Sequence, residues 1–494
     1  MPHVADPSNI AALQTLDPAP ALLRRISGEL SDHFRPDLPL RLSRAPGRLD
    51  VMGGIADYTG SLVCEATLDC AAAVAVQTRQ DRQVHVISLN LKDDNSGFAA
   101  AFPLQSLAEP IDSQRRDLAA KDNRWAGYLA GCLAMLHDQK LLDLNHPEFR
   151  GVNIAVLSTV PPGAGVSSSA AIEVATMINL CHHFDVTLEP LQLAALCQQV
   201  ENRVVGAPCG IMDQVSSCLG EAGSLLRMLC QPHTLQPPLK LPQGVCAVGI
   251  NSRVKHSVAG GAYGRTRCAA FMAHRMILEK MRDMGRAAGK ELLADPMNGY
   301  LANLDPDDYK RYFRPDLPET MLGADFLRRY ERTIDQATQV RPDEQYPVQH
   351  AADHHVLEAR RVKNFVSFVQ AAHDLPPSPQ RRHLLDKAGH LMYASHISYT
   401  RDAMLGADEC DLLVDLVRRR ESRGLYGAKI TGGGGGGTVA VLCDQTDSAS
   451  AAIDEIMREY HQATGHQPQA FTGTSPGAWH LGTKIIRPGG SHAA

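Results

Sequence analysis

Pro161-Pro-Gly-Ala-Gly-Val-Ser-Ser-Ser-Ala-Ala171 decides how this chain is read, because of what flanks it. Val152–Ser158 ahead of it has the alternation of a strand, and Ala170–Phe184 behind it carries apolar residues at helical spacing. Gly163 and Gly165 let the backbone turn without a Cβ penalty. Ser167, Ser168 and Ser169 add hydroxyls to the free N–H groups at the positive end of the helix. A junction of this composition cradles phosphates. It is not a Walker A loop, since no lysine follows the last glycine. A serine N-cap after a glycine turn would look the same, and stays open as the plain alternative.

Working outward, three further segments carry chemistry. Gly432–Gly437 follows the strand-like Tyr426–Ile430 and is followed by another, Thr438–Leu442. A dinucleotide fold needs a helix there, so a Rossmann domain and an NAD-dependent enzyme are disfavoured. Apolar strands on both sides argue for a glycine hairpin pressed against another backbone or a ligand, and against a flexible linker. Cys209-Gly-Ile-Met-Asp-Gln214, with Glu201 on the preceding helix, offers a carboxylate base and a carboxylate for Mg²⁺. Solvated surface carboxylates would give the same letters. Gly47-Arg-Leu-Asp-Val-Met-Gly-Gly-Ile-Ala-Asp-Tyr58 places an Arg and an Asp in a glycine-rich turn, which suits a polyol or an ordinary ion pair.

The remainder is mixed α and β. Residues 1–40 read as a proline-dotted lead-in around one short helix, Ala21–Phe34, and not as a domain. Gln231–Pro242, with four prolines, reads as a linker, and Val245–Ser252 as the strand that opens the second half. A long helix is expected over Thr266–Ala288, and a helix pair over Arg381–Ser395 and Glu409–Arg420. His350, Asp353, His354 and His355 have metal-ligand spacing but lack the zincin glutamate, so a solvated helix face is expected there. The 494 residues are too many for one ordinary domain, and 44% hydrophobic with 21% charged residues describes a globular chain. A net charge of −5 does not favour nucleic acid, and no apolar run is long enough for a membrane span. Twelve scattered cysteines and no secretory leader suggest reduced thiols in a cytoplasm.

In chain order the four segments resemble the signature set of the GHMP small-molecule kinases, and the galactokinase branch in particular. Gly47-Arg48…Gly53…Asp57-Tyr58 resembles the first motif, Pro162–Ala171 the phosphate loop, Cys209–Gln214 the catalytic stretch and Thr431–Gly437 the third motif. Asn251–Ser257 with Tyr263 is similar to a further galactokinase segment. The chain is also similar to the kinase portion of plant L-arabinokinases, through Val51–Asp57, Leu317–Leu327, Leu425–Gly433 and Ser475–Ala478. The upstream glycosyltransferase-like region of those plant proteins is not expected here.

The resemblance implies an α+β, two-domain GHMP kinase fold. A phosphate-loop domain over residues 41–240 would be joined to a ferredoxin-like domain over 241–494, with a helical insert at about 280–385. It implies that Pro162, Gly163, Ala164, Gly165, Val166, Ser167, Ser168, Ser169 and Ala170 bind ATP, with Gly432, Gly433, Gly434 and Gly435 forming the glycine loop. Ser169 and Glu201 would hold Mg²⁺, and Asp213 with Arg48 would be catalytic. Asp57, Gly54, Ile55, Gly210 and Tyr263 would contact the sugar. The activity implied is ATP-dependent phosphorylation of a sugar's anomeric hydroxyl, with the chain a monomer or weak homodimer whose partner is a small-molecule sugar. Galactokinases carry Glu-His where this chain has Gly54-Ile55, and that pair reaches the 6-hydroxymethyl group. Burying an unpaired hydroxyl costs about 1–3 kcal/mol, so the departure leans toward a pentose such as L-arabinose. A galactokinase, or a galactokinase-like sugar sensor with weak turnover, is the alternative.

Overall fold

Asp17 caps the first helix among the described residues, α1 (Pro18–Glu29), accepting the Ala19 N–H at 3.1 Å, and Pro18 stands where a helix has no use for its missing N–H. In this computed structural model residues 17–111, 113, 124–254 and 261–487 are described. Leu22 and Ile26 of α1, with Leu30 just after it, bury against the sheet beyond, so the described part of the lead-in is a packed element of the first layer.

That sheet is built on two long strands, β1 (Leu40–Met52) and β2 (Leu62–Thr78), paired antiparallel. Then come β3 (Gln83–Ser88), β4 (Ala99–Pro103), α2 (Arg124–Asp138), β5 (Val152–Ser158) and α3 (Ser168–His183). They are followed by α4 (Pro190–Gln199), α5 (Met212–Leu219), β6 (Ser224–Leu229) and β7 (Thr234–Lys240). One half of β2 pairs with β6 and the other with β5, which takes β3 in parallel. The two-residue alternation of β2 sorts its faces: Val74 and Val76 pack with α2 and α3, while Ala73 and Ala75 face α1. Gln231–Pro242 is not a linker. Its middle is β7, paired only with β6, and an edge strand is where Pro237 and Pro238 are tolerated.

The second layer opens with β8 (Val245–Asn251) and α6 (Ala262–Ala287). Of the galactokinase-like segment, Lys255, His256 and Ser257 lie outside the described residues. The helices α7 (Val348–His373), α8 (Pro379–Arg401) and α9 (Asp408–Arg418) precede β9 (Leu425–Ile430), β10 (Thr438–Asp444), α10 (Asp447–Thr464) and β11 (Gln469–Phe471). Strand order is β9-β10-β8-β11 with every pairing antiparallel, the ferredoxin-like arrangement. The stretch before α8 is no loose insert: α7 packs along α6 and α8, and Tyr309, Phe313, Phe326 and Tyr346 form a core with Met272 and Val356. After α11 (Ala478–Leu481) the chain returns to the first sheet, where β12 (Thr483–Ile486) pairs with β1. The expected 241–494 unit therefore gives up its last strand to the other layer. Among the described residues no helix is long and apolar enough to cross a membrane.

Candidate active site

A cleft of about 780 Å³ is lined by the loop Pro161–Ser169, by Arg48, Ile55, Asp57, Gly210, Asp213 and Tyr263, and by Gly433. Tyr128, Trp125 and Leu129 of α2 and Val156 of β5 line it as well. Sequence reasoning did not nominate that part, since no motif marks Trp125, Tyr128 or Leu129. In the loop, Ser167 takes the left-handed conformation at φ 60° and makes no side-chain cap bond. Its Oγ is buried without a partner. A buried hydroxyl left unpaired at a helix N-terminus is a site that asks for an anion. Ala170 is fully buried in α3 behind the loop and does not reach the cleft.

Arg48, 2% exposed at the end of β1, joins the catalytic candidates to this loop. Its Nη2 donates to Asp213 Oδ1 at 2.7 Å and its Nη1 to the Gly165 carbonyl at 2.7 Å. Behind it stands Glu65, which sequence reading missed, with Oε2 3.3 Å from Arg48 Nε. Burial, reinforced by Asp50, raises the Glu65 carboxyl well above the carboxylate range. Asp213, on the first turn of α5, keeps 23% of its side chain exposed toward the cleft.

The candidate sugar end is equally ordered. Asp57 is pushed up to about 7, first by burial and then by Asp213. A Cβ on Gly210 would lie 1.4 Å from Asp57 Oδ2, so glycine is what lets this carboxyl press against the backbone. Ile55 and Tyr263 line the cleft. Gly54 does not: it faces Tyr399, on α8. The loop is supported from the α6–α7 side, where His355 contacts Tyr58 Oη and Thr59 Oγ1, each at 3.1 Å. Arg267 stacks 4.9 Å over the Tyr58 ring, donates to the Cys209 carbonyl at 3.2 Å and is clamped by Asp335. The expected solvated face at Asp353–His355 is thus overturned. His354 and His355 are fully buried, and burial drives both imidazoles to low pKa, His354 to about 3. No cluster of three or more His, Cys, Asp or Glu able to hold a metal occurs among the described residues.

Glu201 follows α4 in a short π-helical turn, Val200–Val205, that aims its carboxyl into the cleft. Burial and then Asp213 raise it to about 7, while hydrogen bonds from Ser169, Cys209 and Gln214 pull it back. Gln214 Nε2 also donates to Glu173, fully buried on α3 and unanticipated from sequence. The hard oxygens of Ser169 and Glu201, side by side next to the phosphate loop, fit a divalent cation shared with phosphate oxygens.

The glycine run is a hairpin between β9 and β10, packed backbone to backbone on the phosphate loop. A Cβ on Gly437 would lie 2.6 Å from the Ala164 carbonyl, and one on Gly432 2.9 Å from that of Gly165. Thr438 Oγ1 donates to Ala164 O at 2.7 Å. Only Gly433 of the run lines the cleft, whereas Gly434 and Gly435 lie against Leu405. A buried pair anchors the hairpin: Lys429 Nζ lies 2.6 Å from Asp50 Oδ2.

The family models for the GHMP kinases N terminal domain and GHMP kinases C terminal match residues 128–221 and 380–462. Galactokinase of Chloroflexus aurantiacus is 30% identical over 88% of this chain and 92% of its own length. The chain belongs to the GHMP kinases. Within this family it is of the sugar-kinase type that includes galactokinase and L-arabinokinase. L-Arabinokinase of Arabidopsis thaliana is 36% identical over 90% of this chain, which spans about half (47%) of that relative's length. The crystal structure of Lactococcus lactis galactokinase complexed with galactose superposes with a TM-score of 0.68 at 20% identity, covering 94% of this chain and 99% of that one. The mevalonate kinase of Methanococcus jannaschii follows the same fold at a TM-score of 0.52 and 13% identity, over 88% of this chain and 98% of that one.

Proposed function

We propose that this chain transfers the γ-phosphoryl group of ATP to the anomeric hydroxyl of a monosaccharide, and that the sugar is L-arabinose. The observation carrying the transfer is Arg48, which holds Asp213 by two nitrogens, Nε and Nη2, and the phosphate-loop carbonyl of Gly165 by the third. A sugar hydroxyl at Asp213 then lies beside a guanidinium already fixed against the loop that holds the triphosphate. Phosphoryl transfer depends chiefly on positioning and on stabilising spread charge, and this arrangement supplies both. Asp213 orients the hydroxyl and accepts its proton, while the amides opening α3 and the Ser167 hydroxyl hold phosphate oxygens. Ser169 and Glu201 would hold Mg²⁺, which would supply positive charge beside the phosphate loop. Asp57 and Tyr263 take sugar hydroxyls.

The choice of pentose is supported by Ile55. It lines the cleft while only 1% exposed, with an apolar side chain, and its neighbour Gly54 is turned away, so this loop position offers no polar side-chain partner for a 6-hydroxyl. Discrimination from one unpaired hydroxyl is on the order of 10–200-fold. The test is ADP release over a sugar panel, with kcat/KM compared for L-arabinose and D-galactose and the product's phosphate position read by NMR. A higher value for L-arabinose supports the reading. Equal values or a preference for galactose overturn the pentose, and a sensor would bind sugar and ATP without releasing ADP.

A further inference from the structure

Position 54 is glycine for two reasons, one in its own backbone and one that lies 345 residues away in sequence. Gly54 has φ +33°, and a Cβ there would fall 1.7 Å from Tyr399 Oη and 2.7 Å from its Cζ. Tyr399 is fully buried in α8 and cannot withdraw. Its hydroxyl accepts the Ile55 N–H at 2.9 Å and donates to the Gly432 carbonyl at 2.8 Å, so both of its strongest bonding directions are used. The ring is held as well, with Lys429 Nζ 5.1 Å above it and His354 edge-on at 5.1 Å. Asp50 makes a second bridge between the same two segments, accepting from Gly54 N at 3.0 Å and from Gly432 N at 3.2 Å.

We propose that Tyr399 is a specificity-determining residue of the sugar site. Its phenol occupies the volume a side chain at position 54 would need and fixes the Gly54–Ile55 backbone, so that Ile55 is what this loop turns toward the sugar. The proposal rests on the assignment of that part of the cleft to the sugar. Tyr399 touches neither substrate by this account; it positions the loop that does. Gly54 and Tyr399 are then a matched pair, and a polar side chain for a larger sugar cannot be installed at position 54 unless position 399 is cut back.

The experiment uses the full chain with Gly54→Glu, Tyr399→Leu, the two combined, and Tyr399→Phe. Each is measured by thermal melting and by kcat/KM on whichever sugar the unmodified protein turns over fastest, so a wrong choice of sugar does not mimic failure of this inference. Gly54→Glu alone should lower kcat/KM by about 100-fold or more, since its side chain must displace the loop. Adding Tyr399→Leu should recover about tenfold or more of that loss. Tyr399→Phe, which keeps the ring and deletes the hydroxyl, should raise the sugar KM about tenfold while the ATP KM changes by less than about threefold. An active, stable Gly54→Glu variant overturns the proposal. So does a double variant that recovers neither folding nor activity, or a Tyr399→Phe variant with an unchanged sugar KM.

Discussion

Lys429→Met removes one half of an ion pair that has no contact with water. Lys429 Nζ lies 2.6 Å from Asp50 Oδ2, and both side chains are 0% exposed. Methionine fills similar volume, so the change is one of charge: Asp50 stays buried with its cation gone. Breaking such a pair from one side costs about 3–5 kcal/mol, chiefly because the remaining ion is left uncompensated in low dielectric. Two backbone donors stay with Asp50, the N–H groups of Gly54 and Gly432, and offset part of this. The expected loss is therefore near the lower end, about 3 kcal/mol. Asp50→Asn added to Lys429→Met removes the stranded charge while its amide oxygen still accepts one of those N–H groups. The double variant should regain about 2 kcal/mol, since a buried pair replaced as a whole is often close to neutral. Urea unfolding followed by circular dichroism measures both. A single variant within about 1 kcal/mol of the unmodified protein, or a double variant no more stable than the single, would refute the reasoning.

Three further outcomes are expected. Asp213→Asn keeps the shape but deletes the charge proposed to orient the hydroxyl, so turnover should fall about 100-fold or more with ATP binding retained; near-normal turnover removes Asp213 from the mechanism. Glu201→Gln should raise the Mg²⁺ concentration needed for half-maximal activity, because an amide is a poorer ligand for a hard cation, and an unchanged titration with the fold intact makes Glu201 structural. Asp57, whose folded pKa of about 7 lies above the ordinary 3.8, holds a proton in the folded chain that the unfolded chain releases. Its stabilising contribution is full below about pH 4 and is lost as pH rises through 7. Asp57→Asn should flatten the decline in melting temperature between pH 5 and pH 7.5, and parallel profiles for the two proteins would count against a raised Asp57.

Much of the site was legible because its signals are local. Three serines after two glycines, between a strand and a helix, set a backbone conformation within a dozen residues, and the structure builds the loop there with Ser167 at φ 60°. The glycine run between two apolar strands likewise argued for a hairpin pressed against another backbone or a ligand, and Gly437 meets the Ala164 carbonyl. Glu65, Glu173 and Arg267 escaped notice because an acid or base in an apolar stretch looks like any residue facing out. Their burial against Arg48, Gln214 and Asp335 is created only when distant segments meet.

The sequence by itself determined the glycine-and-serine turn ahead of α3 and the glycine hairpin, since each depends on backbone freedom that neighbouring residues dictate, and its ordered motifs carried the resemblance to the sugar kinases. Tertiary structure alone decided that Gly54 faces Tyr399 and not the cleft, that His354 and His355 are interior, that a proline-rich stretch is an edge strand, and that residues 483–486 close the first sheet. Those facts rest on contacts such as Ile55 N to Tyr399 Oη, made across 344 positions. A pairing over such a distance has no period and no spacing to betray it; only the packing of the two layers brings its members within 2.9 Å.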